Sequence, residues 1–340
     1  MKIFKYFKII IINIIIFFSL FIIIDLIFGS WFKNNFSYKL SSERNIYRVY
    51  KFNFSNYSGQ SIYERDSNGF RINNQSQLPE NIDIIFTGGS TTNQKFLNYK
   101  DTIVNGLDDY FEDLTFVNAG VDGLSIKGHI NSFEFWFNKI NKLNPKFYIF
   151  YIGLNDRFLL KNKPRSIDEF QEASSFENVR EYLESNSFFY KQFRHLKVYL
   201  YLKNNFQQGA NIVNEKGVVY GERSTKKFAK YTEFVDKKVF DKKYSEYYLS
   251  LLNTLSNLVR ENNAEPIFIT QISGHGMTKE LFTAAETIIS HCKNLNLKCI
   301  NLAENIDLNY DDFYDQLHLN PKGSKKVTNF LSKELEKIFN

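Results

Sequence analysis

A chain of 340 residues that is 43% hydrophobic and 24% charged is long enough for one large α/β domain with an appendage. Its net charge of +6, from 43 basic and 37 acidic residues, is spread without a Lys/Arg stripe beyond pairs such as Lys226-Lys227 and Lys242-Lys243, which argues against a nucleic-acid-binding role. Two cysteines, Cys292 and Cys299, are too few for a disulfide framework and lack metal-ligand spacing; a bonded pair in an oxidising compartment and two small buried residues are both open readings.

The first element is the run Ile9 to Phe28, almost continuously apolar and broken by Asn13, Ser19 and Asp25. About twenty such residues match the thickness of a bilayer, and no A-x-A-like cleavage site follows, so an uncleaved anchor is expected over residues 1–29 in preference to a removed signal peptide. Lys2, Lys5 and Lys8 favour a cytoplasmic N-terminus and an extracytoplasmic remainder, although Lys33, Lys39, Arg44 and Arg48 reduce the charge asymmetry. Residues 30–80 are polar and aromatic with little periodicity and read as a stalk or wrapping segment.

Residues 81–340 then alternate strand and helix patterns, as a parallel sheet covered by helices would. Ile82 to Phe86 is a β-branched run that ends in Gly88-Gly89-Ser90-Thr91-Thr92. A serine where a buried strand turns sharply into a helix has its hydroxyl lifted above the sheet edge, with helix N–H groups aimed at what it attacks. The same residues also suit an ordinary turn with an N-cap, or a phosphate cradle. Further strands are expected at Phe116 to Ala119, Phe147 to Ile152, Pro266 to Thr270 and Lys298 to Leu302. Between them, Ile126, Ile130, Phe133, Phe137 and Ile140, and later Tyr248, Leu251, Leu252, Leu255 and Val259, recur at helical spacing, and another helix runs through about His291. Asn320-Pro321 caps a last helix striped by Val327, Phe330, Leu331 and Leu335. The span from about 157 to 244 interrupts the alternation, shows no further strand, and reads as a mainly helical insertion, either a lid over the sheet's C-terminal edge or a solvated spacer.

Four separated blocks carry chemistry in one order: Gly89-Ser90, Asn118-Ala119-Gly120, Gly153-Leu154-Asn155-Asp156 and Asp315-Gln316-Leu317-His318. Together they resemble the SGNH (GDSL-type) hydrolases, over roughly Ile82 to Asn340. Residues 65–71, Arg-Asp-Ser-Asn-Gly-Phe-Arg, are also similar to a D-x-x-G-[FY]-R stretch found ahead of the first block in anchored members. The resemblance implies a three-layer α/β/α fold with a parallel, flavodoxin-like sheet, no cofactor and no metal. It implies Ser90 as nucleophile, His318 as base, Asp315 as the acid that orients it, and an oxyanion hole from Ser90 N–H, Gly120 N–H and the Asn155 side chain. Where the family usually has Asp before the Ser, this chain has Gly89, which together with His275 is a candidate for substrate contact. His275, in Ser273-Gly274-His275-Gly276, is the main rival to His318; His129, His195 and His291 read as less suited. No G-x-S-x-G elbow is present, since Thr92 stands at the last position, and neither nucleotide-binding glycine signature occurs.

The function these residues imply is a membrane-anchored esterase removing an O-acyl group, O-acetyl being the one expected, from a cell-envelope or secreted glycan. An O-acyltransferase with the same residues and a catalytically idle binding module are the alternatives.

Overall fold

The structure is a computed structural model that describes residues 2–29, 31–32, 44, 46–54, 57–73, 75–159, 183, 186–190, 192–193, 196, 212–215, 228–237 and 240–340. The chain divides into two units, Met1–Ser37 with Glu172–Gly209, and Tyr38–Gln171 with Ala210–Asn340.

The first unit is built on helix α1 (Lys2–Phe28). Within it Tyr6–Phe28 is long and apolar enough to cross a membrane, with mean hydropathy 3.0 over 23 residues.

The second unit holds one nine-stranded mixed sheet: β1 (Ile46–Phe54), β2 (Tyr57–Arg65), β3 (Arg71–Ile72), β4 (Ile84–Gly88), β5 (Phe116–Asn118), β6 (Phe147–Tyr151), β7 (Ile212–Glu215), β8 (Glu265–Ile269) and β9 (Lys298–Ile300). Their order across the sheet is β7-β1-β2-β3-β5-β4-β6-β8-β9. From β5 to β9 every neighbouring pair is parallel. β1, β2 and β3 are antiparallel to one another, and β3 is antiparallel to β5.

This corrects two expectations. The sheet is mixed, not wholly parallel, because residues 46–72 of the expected stalk form a hairpin, paired from Ile46↔Arg65 to Phe54↔Tyr57, and a short third strand. Their apolar period is obscured in Tyr57–Arg65, where polar Ser61 and Arg65 are buried with Tyr63 while Ile62 is exposed. The insertion also contains a strand after all: β7 pairs in parallel with β1 through backbone contacts that need only a short β-branched pair, Ile212-Val213.

The helices of this unit that begin at Ile103, Lys242, Lys279 and Pro321 start where the sequence supplies caps. After α2 (Ser90–Asn93), helix α3 (Ile103–Tyr110) is capped by Thr102, whose hydroxyl accepts from Asn105 N–H at 3.3 Å. α4 (Ile126–Phe135) and α5 (Thr232–Asp236) follow. α6 (Lys242–Glu261) is capped by Asp241, α7 (Lys279–Leu295) by Thr278, and, after α8 (Leu302–Asn305), α9 (Pro321–Phe339) by Asn320, with Pro at its first position.

Helices pack on both faces of the sheet. On one face Ile84, Phe86, Ile149, Ile267 and Ile269 meet Ile103, Val104 and Leu107 of α3 and Val327, Leu331 and Leu335 of α9, all buried. On the other, Tyr148 lies against Phe133 of α4 at 4.9 Å between centroids, and Phe268 against His291 of α7 at 5.7 Å. Each fully buried Ile, Leu or Phe contributes about 1.5–3 kcal/mol, so this double-sided packing is the main favourable term. Cys292 on α7 and Cys299 on β9 form a disulfide, with Cα atoms 6.2 Å apart.

Arg71 on β3 is the largest polar side chain in the core. Its guanidinium donates to the carbonyls of Asn93, Gln94 and Leu97, the loop that follows α2. Burial pulls its pKa down to about 10. Replacing it with Met leaves those carbonyls buried and unpaired, at about 1–3 kcal/mol each, so Arg71→Met is expected to lower the unfolding free energy by about 3 kcal/mol or more, read by urea denaturation.

Candidate active site

β4 lies between β5 and β6, so the chain leaves its carboxyl end towards one side and later returns to the other, opening a crevice at that point. Ser90 sits there, one residue past Gly89, the N-cap of α2. Helix α2 is a single turn with Thr91, Thr92 and Asn93 buried. It is fixed by Gln271 at the end of β8, whose amide donates to Thr91 Oγ1 at 2.7 Å and to the Tyr151 carbonyl at 3.1 Å while accepting from Leu154 N–H at 2.9 Å.

The loop before α9 delivers His318. Phe313 and Leu319 bridge, and the Tyr314 N–H donates to the His318 carbonyl at 3.0 Å, which closes a tight loop. Within it Asp315 Oδ1 accepts from both Leu317 N–H and His318 N–H at 2.7 Å, so the D-x-x-H spacing winds the carboxylate back onto its own loop. Asp315 Oδ2 lies 2.7 Å from His318 Nδ1, and His318 Nε2 lies 2.7 Å from Ser90 Oγ. With the proton on Nδ1 facing Asp315, Nε2 is the acceptor for the serine hydroxyl. The imidazole ring stacks on Tyr314, 5.5 Å between centroids and 13° between planes, and Tyr314 stacks in turn on Phe54 of β1 at 4.5 Å.

Asn155 reaches the same cleft. The turn that carries it has Gly153 at φ +128°, a conformation that favours glycine. Asp156 braces the turn, accepting from Gly153 N–H at 2.9 Å, from Ile126 N–H at the start of α4 at 2.7 Å and from Tyr248 OH at 2.9 Å. The Asn155 amide donates to the Leu124 carbonyl at 2.9 Å. It also lies against Gly89, where a Cβ would collide with its Nδ2. The Gly89 departure therefore has a local cause: any side chain there displaces Asn155.

Gly120 does not join this group. Its N–H donates to Asn118 Oδ1 at 2.9 Å and its carbonyl accepts from Arg65, so both backbone groups serve the scaffold. Its lack of a side chain is used differently, since a Cβ would strike the backbone of Thr92 and Asn93. Nor is His275 among the residues lining the cleft; its ring lies 6.4 Å from that of Tyr310. The neighbouring Gly274 instead supports the loop that carries His318, donating to the Gln316 carbonyl at 2.8 Å.

The cleft holds about 360 Å³ and is lined by Ser90, Asn155, His318, Phe96, Tyr314 and Leu317, with Lys95, Asp122 and Arg157 as its charged groups. Lys95 and Asp122 pair at 3.2 Å, and Asn93 donates to Asp122 at 2.7 Å. Burial pushes the Asp122 carboxyl up, but Lys95, Asn93 and His318 together hold it below the usual carboxylate value. Sequence reading missed Lys95, Asp122, Arg157 and Gln271. Only the position of Asp122 and Lys95, just after two of the blocks, hinted at them. Among the described residues no group of three or more His, Cys, Asp or Glu side chains could hold a metal ion.

No family model matches the chain, and no curated protein matches it. Solved structures do resemble it. A putative lipolytic protein of the G-D-S-L family from Desulfitobacterium hafniense is 11% identical with TM-score 0.44, covering 75% of this chain and 99% of its own. A member of the same lipolytic family from Veillonella parvula is 14% identical with TM-score 0.40, covering 76% and 98%. The acetyl xylan esterase AlAXEase is 12% identical with TM-score 0.39, covering 76% and 99%.

Two other histidines, His129 and His291, serve the core. His129 is fully buried with Nδ1 3.2 Å from Thr87 Oγ1, and His291 lies 2.9 Å from Ser256 Oγ; His195 lies outside the described residues. Burial lowers the His129 pKa to about 3, so the folded state excludes a proton that the unfolded chain takes up below its usual value near 6.5. That contribution is whole above pH ~6.5 and is lost as pH falls towards 3. His129→Gln is expected to be less sensitive than wild type to acid between those values, measured as the difference in urea midpoints at stepped pH.

Proposed function

We propose that the chain is an SGNH-type serine esterase that removes an O-acyl group from a polar, glycan-like substrate. The observation that carries this reading is the continuous relay Asp315–His318–Ser90, with both hydrogen bonds at 2.7 Å, at the mouth of a cleft. An idle binding domain has no need of that geometry. In finer detail β4, β5, β6, β8 and β9 form a three-layer, flavodoxin-like core, with β3, the hairpin and β7 added at one edge.

In this reading Ser90 Oγ attacks the acyl carbonyl and passes its proton to His318 Nε2, while Asp315 holds the imidazole in the productive tautomer and stabilises its charged form. The developing oxyanion takes hydrogen bonds from Ser90 N–H, at a helix start where no intrahelical acceptor exists, and from the Asn155 amide. His318 returns the proton to the departing sugar oxygen. Water, deprotonated by the same imidazole, then attacks the acyl-serine and releases the free acid.

The cleft wall supports a small acyl group on a sugar more than a long lipid chain, because Lys95, Asp122 and Arg157 suit hydroxyls. The Cys292–Cys299 disulfide supports an oxidising compartment. With α1 retained as anchor and its N-terminus in the cytoplasm, the second unit works outside the membrane.

Ser90→Ala is expected to abolish p-nitrophenyl acetate hydrolysis with an almost unchanged thermal midpoint; activity above background overturns the assignment. Asn155→Ala should lower kcat about a hundredfold or more with little change in KM, the signature of a donor used in the transition state.

Hydrolysis and transfer are separated by their products. With an acetyl donor and added glycan oligomers, mass spectrometry should find free acetate as the main product; acetylated sugar as the main product makes the chain a transferase.

A further inference from the structure

α1 carries one carboxylate near its C-terminal end. Around it the helix leaves its apolar side chains exposed, yet Asp25 is only 9% exposed. Its Oδ1 accepts from Ser187 Oγ and from Phe189 N–H, each at 3.0 Å, and its Oδ2 from Trp31 Nε1 at 3.1 Å. Ser187 Oγ accepts in turn from Tyr190 N–H at 3.1 Å, so one hydroxyl links the carboxylate to the start of the next helical turn. Aromatic rings close the contact: Phe189 stacks on Phe21 at 3.9 Å and 12°, and Phe188 lies 5.6 Å from Phe28. Gly29 allows the approach, since a Cβ would meet the Asp25 and Asn186 carbonyls.

A carboxylate in an apolar helix is costly in lipid unless donors are brought to it. Here two of the donors, Ser187 Oγ and Phe189 N–H, come from a segment far along the chain, in the span expected to be either a lid or a solvated spacer. That segment also carries apolar side chains turned to the outside: Phe193 is 67% exposed, Leu196 51% and Leu183 39%. Phe189, Phe193 and Leu196 follow one another at helical spacing, so the stripe that begins on Phe21 continues beyond it. The face is continuous with a helix of membrane-crossing length, and Trp31, just past the end of that helix, is the residue type that settles at the headgroup level.

We propose that the segment carrying Leu183, Ser187, Phe189, Phe193 and Leu196 lies in the interfacial layer of the bilayer beside the end of α1. Lipid acyl chains are its partner, and Asp25 is the acceptor that fastens it to the anchor. The proposal rests on α1 being retained, and it gives a reason for retention: removal of α1 would strip Ser187, Phe188 and Phe189 of these contacts.

The test uses full-length protein in phosphatidylcholine–phosphatidylglycerol vesicles, with an environment-sensitive fluorophore on a single introduced cysteine and brominated lipids as quencher. Phe193→Cys reports the segment, Phe28→Cys the anchor and Lys337→Cys the aqueous face of α9. The Phe193 label is expected to be quenched about twofold or more beyond the Lys337 label, approaching the Phe28 label. Adding Asp25→Leu, which keeps the anchor apolar, should return the Phe193 label to the Lys337 level while leaving the Phe28 label quenched.

A Phe193 label no more quenched than Lys337, with Phe28 quenched, overturns the proposal and spares the anchor. A blue-shifted but unquenched Phe193 label, the sign of a protein partner or a second copy, overturns it too. An unquenched Phe28 label removes the anchor and the proposal together. Unchanged quenching in the Asp25→Leu background overturns the role of Asp25.

Discussion

Two guanidinium groups buried beneath the loop after Ser90 set the position of much else. Arg71 gathers the carbonyls of Asn93, Gln94 and Leu97, and Arg65 gathers those of Gly69 and Gly120 together with Asn93 Oδ1 and the Tyr63 hydroxyl. A buried cation is tolerated only where acceptors converge on it, so these two side chains force the antiparallel strands, the end of α2 and the end of β5 into one arrangement. The same demand decides the fate of Gly120, whose carbonyl is turned to Arg65. Asp66, in the turn between them, shows the strength of burial here: its carboxyl is pushed up to about 7 even though Phe70 and Asn68 N–H groups and the Arg65 charge oppose the shift.

The charged residues in the cleft extend this network. Asn93 accepts from Arg65 on one oxygen and donates to Asp122 with its nitrogen, and Asp122 meets Lys95. The polar chain thus runs from the sheet extension to within electrostatic reach of His318. Asp122, outside the Asp315–His318–Ser90 group, stays below the usual carboxylate value against the push of burial. It does so as a fixed part of the wall, since each of its contacts is anchored in the scaffold.

How much of this is legible in the sequence depends on how local the cause is. Ser90, Asp315 and His318 stand out because a strand ending in Gly-Gly-Ser and a carboxylate three residues before a histidine are short-range patterns. The caps Thr102, Asp241, Thr278 and Asn320 are equally local. The hairpin of residues 46–65 escapes because its polar residues alternate with aromatic ones and its strands are neighbours of β5 only through the two-residue β3. β7 escapes because its partner, β1, is far away in sequence. The direction of the Gly120 N–H is decided by the Asn118 side chain and by Arg65, neither of which the block containing Gly120 reveals. Asn155 is readable as a residue type, but its approach to Ser90 depends on the bare Gly89 and on Asp156 gripping the turn.

The stack of rings behind His318 has a further meaning for how the molecule matures. His318 rests on Tyr314, Tyr314 on Phe54 and Tyr57, and Phe96 closes the group from the side. These side chains come from the beginning, the first third and the very end of the second unit, and contacts of such long range form late because loop closure must precede them. The seat of His318 therefore depends on pieces far apart in sequence, so the position of its imidazole is itself a marker that the second unit has closed.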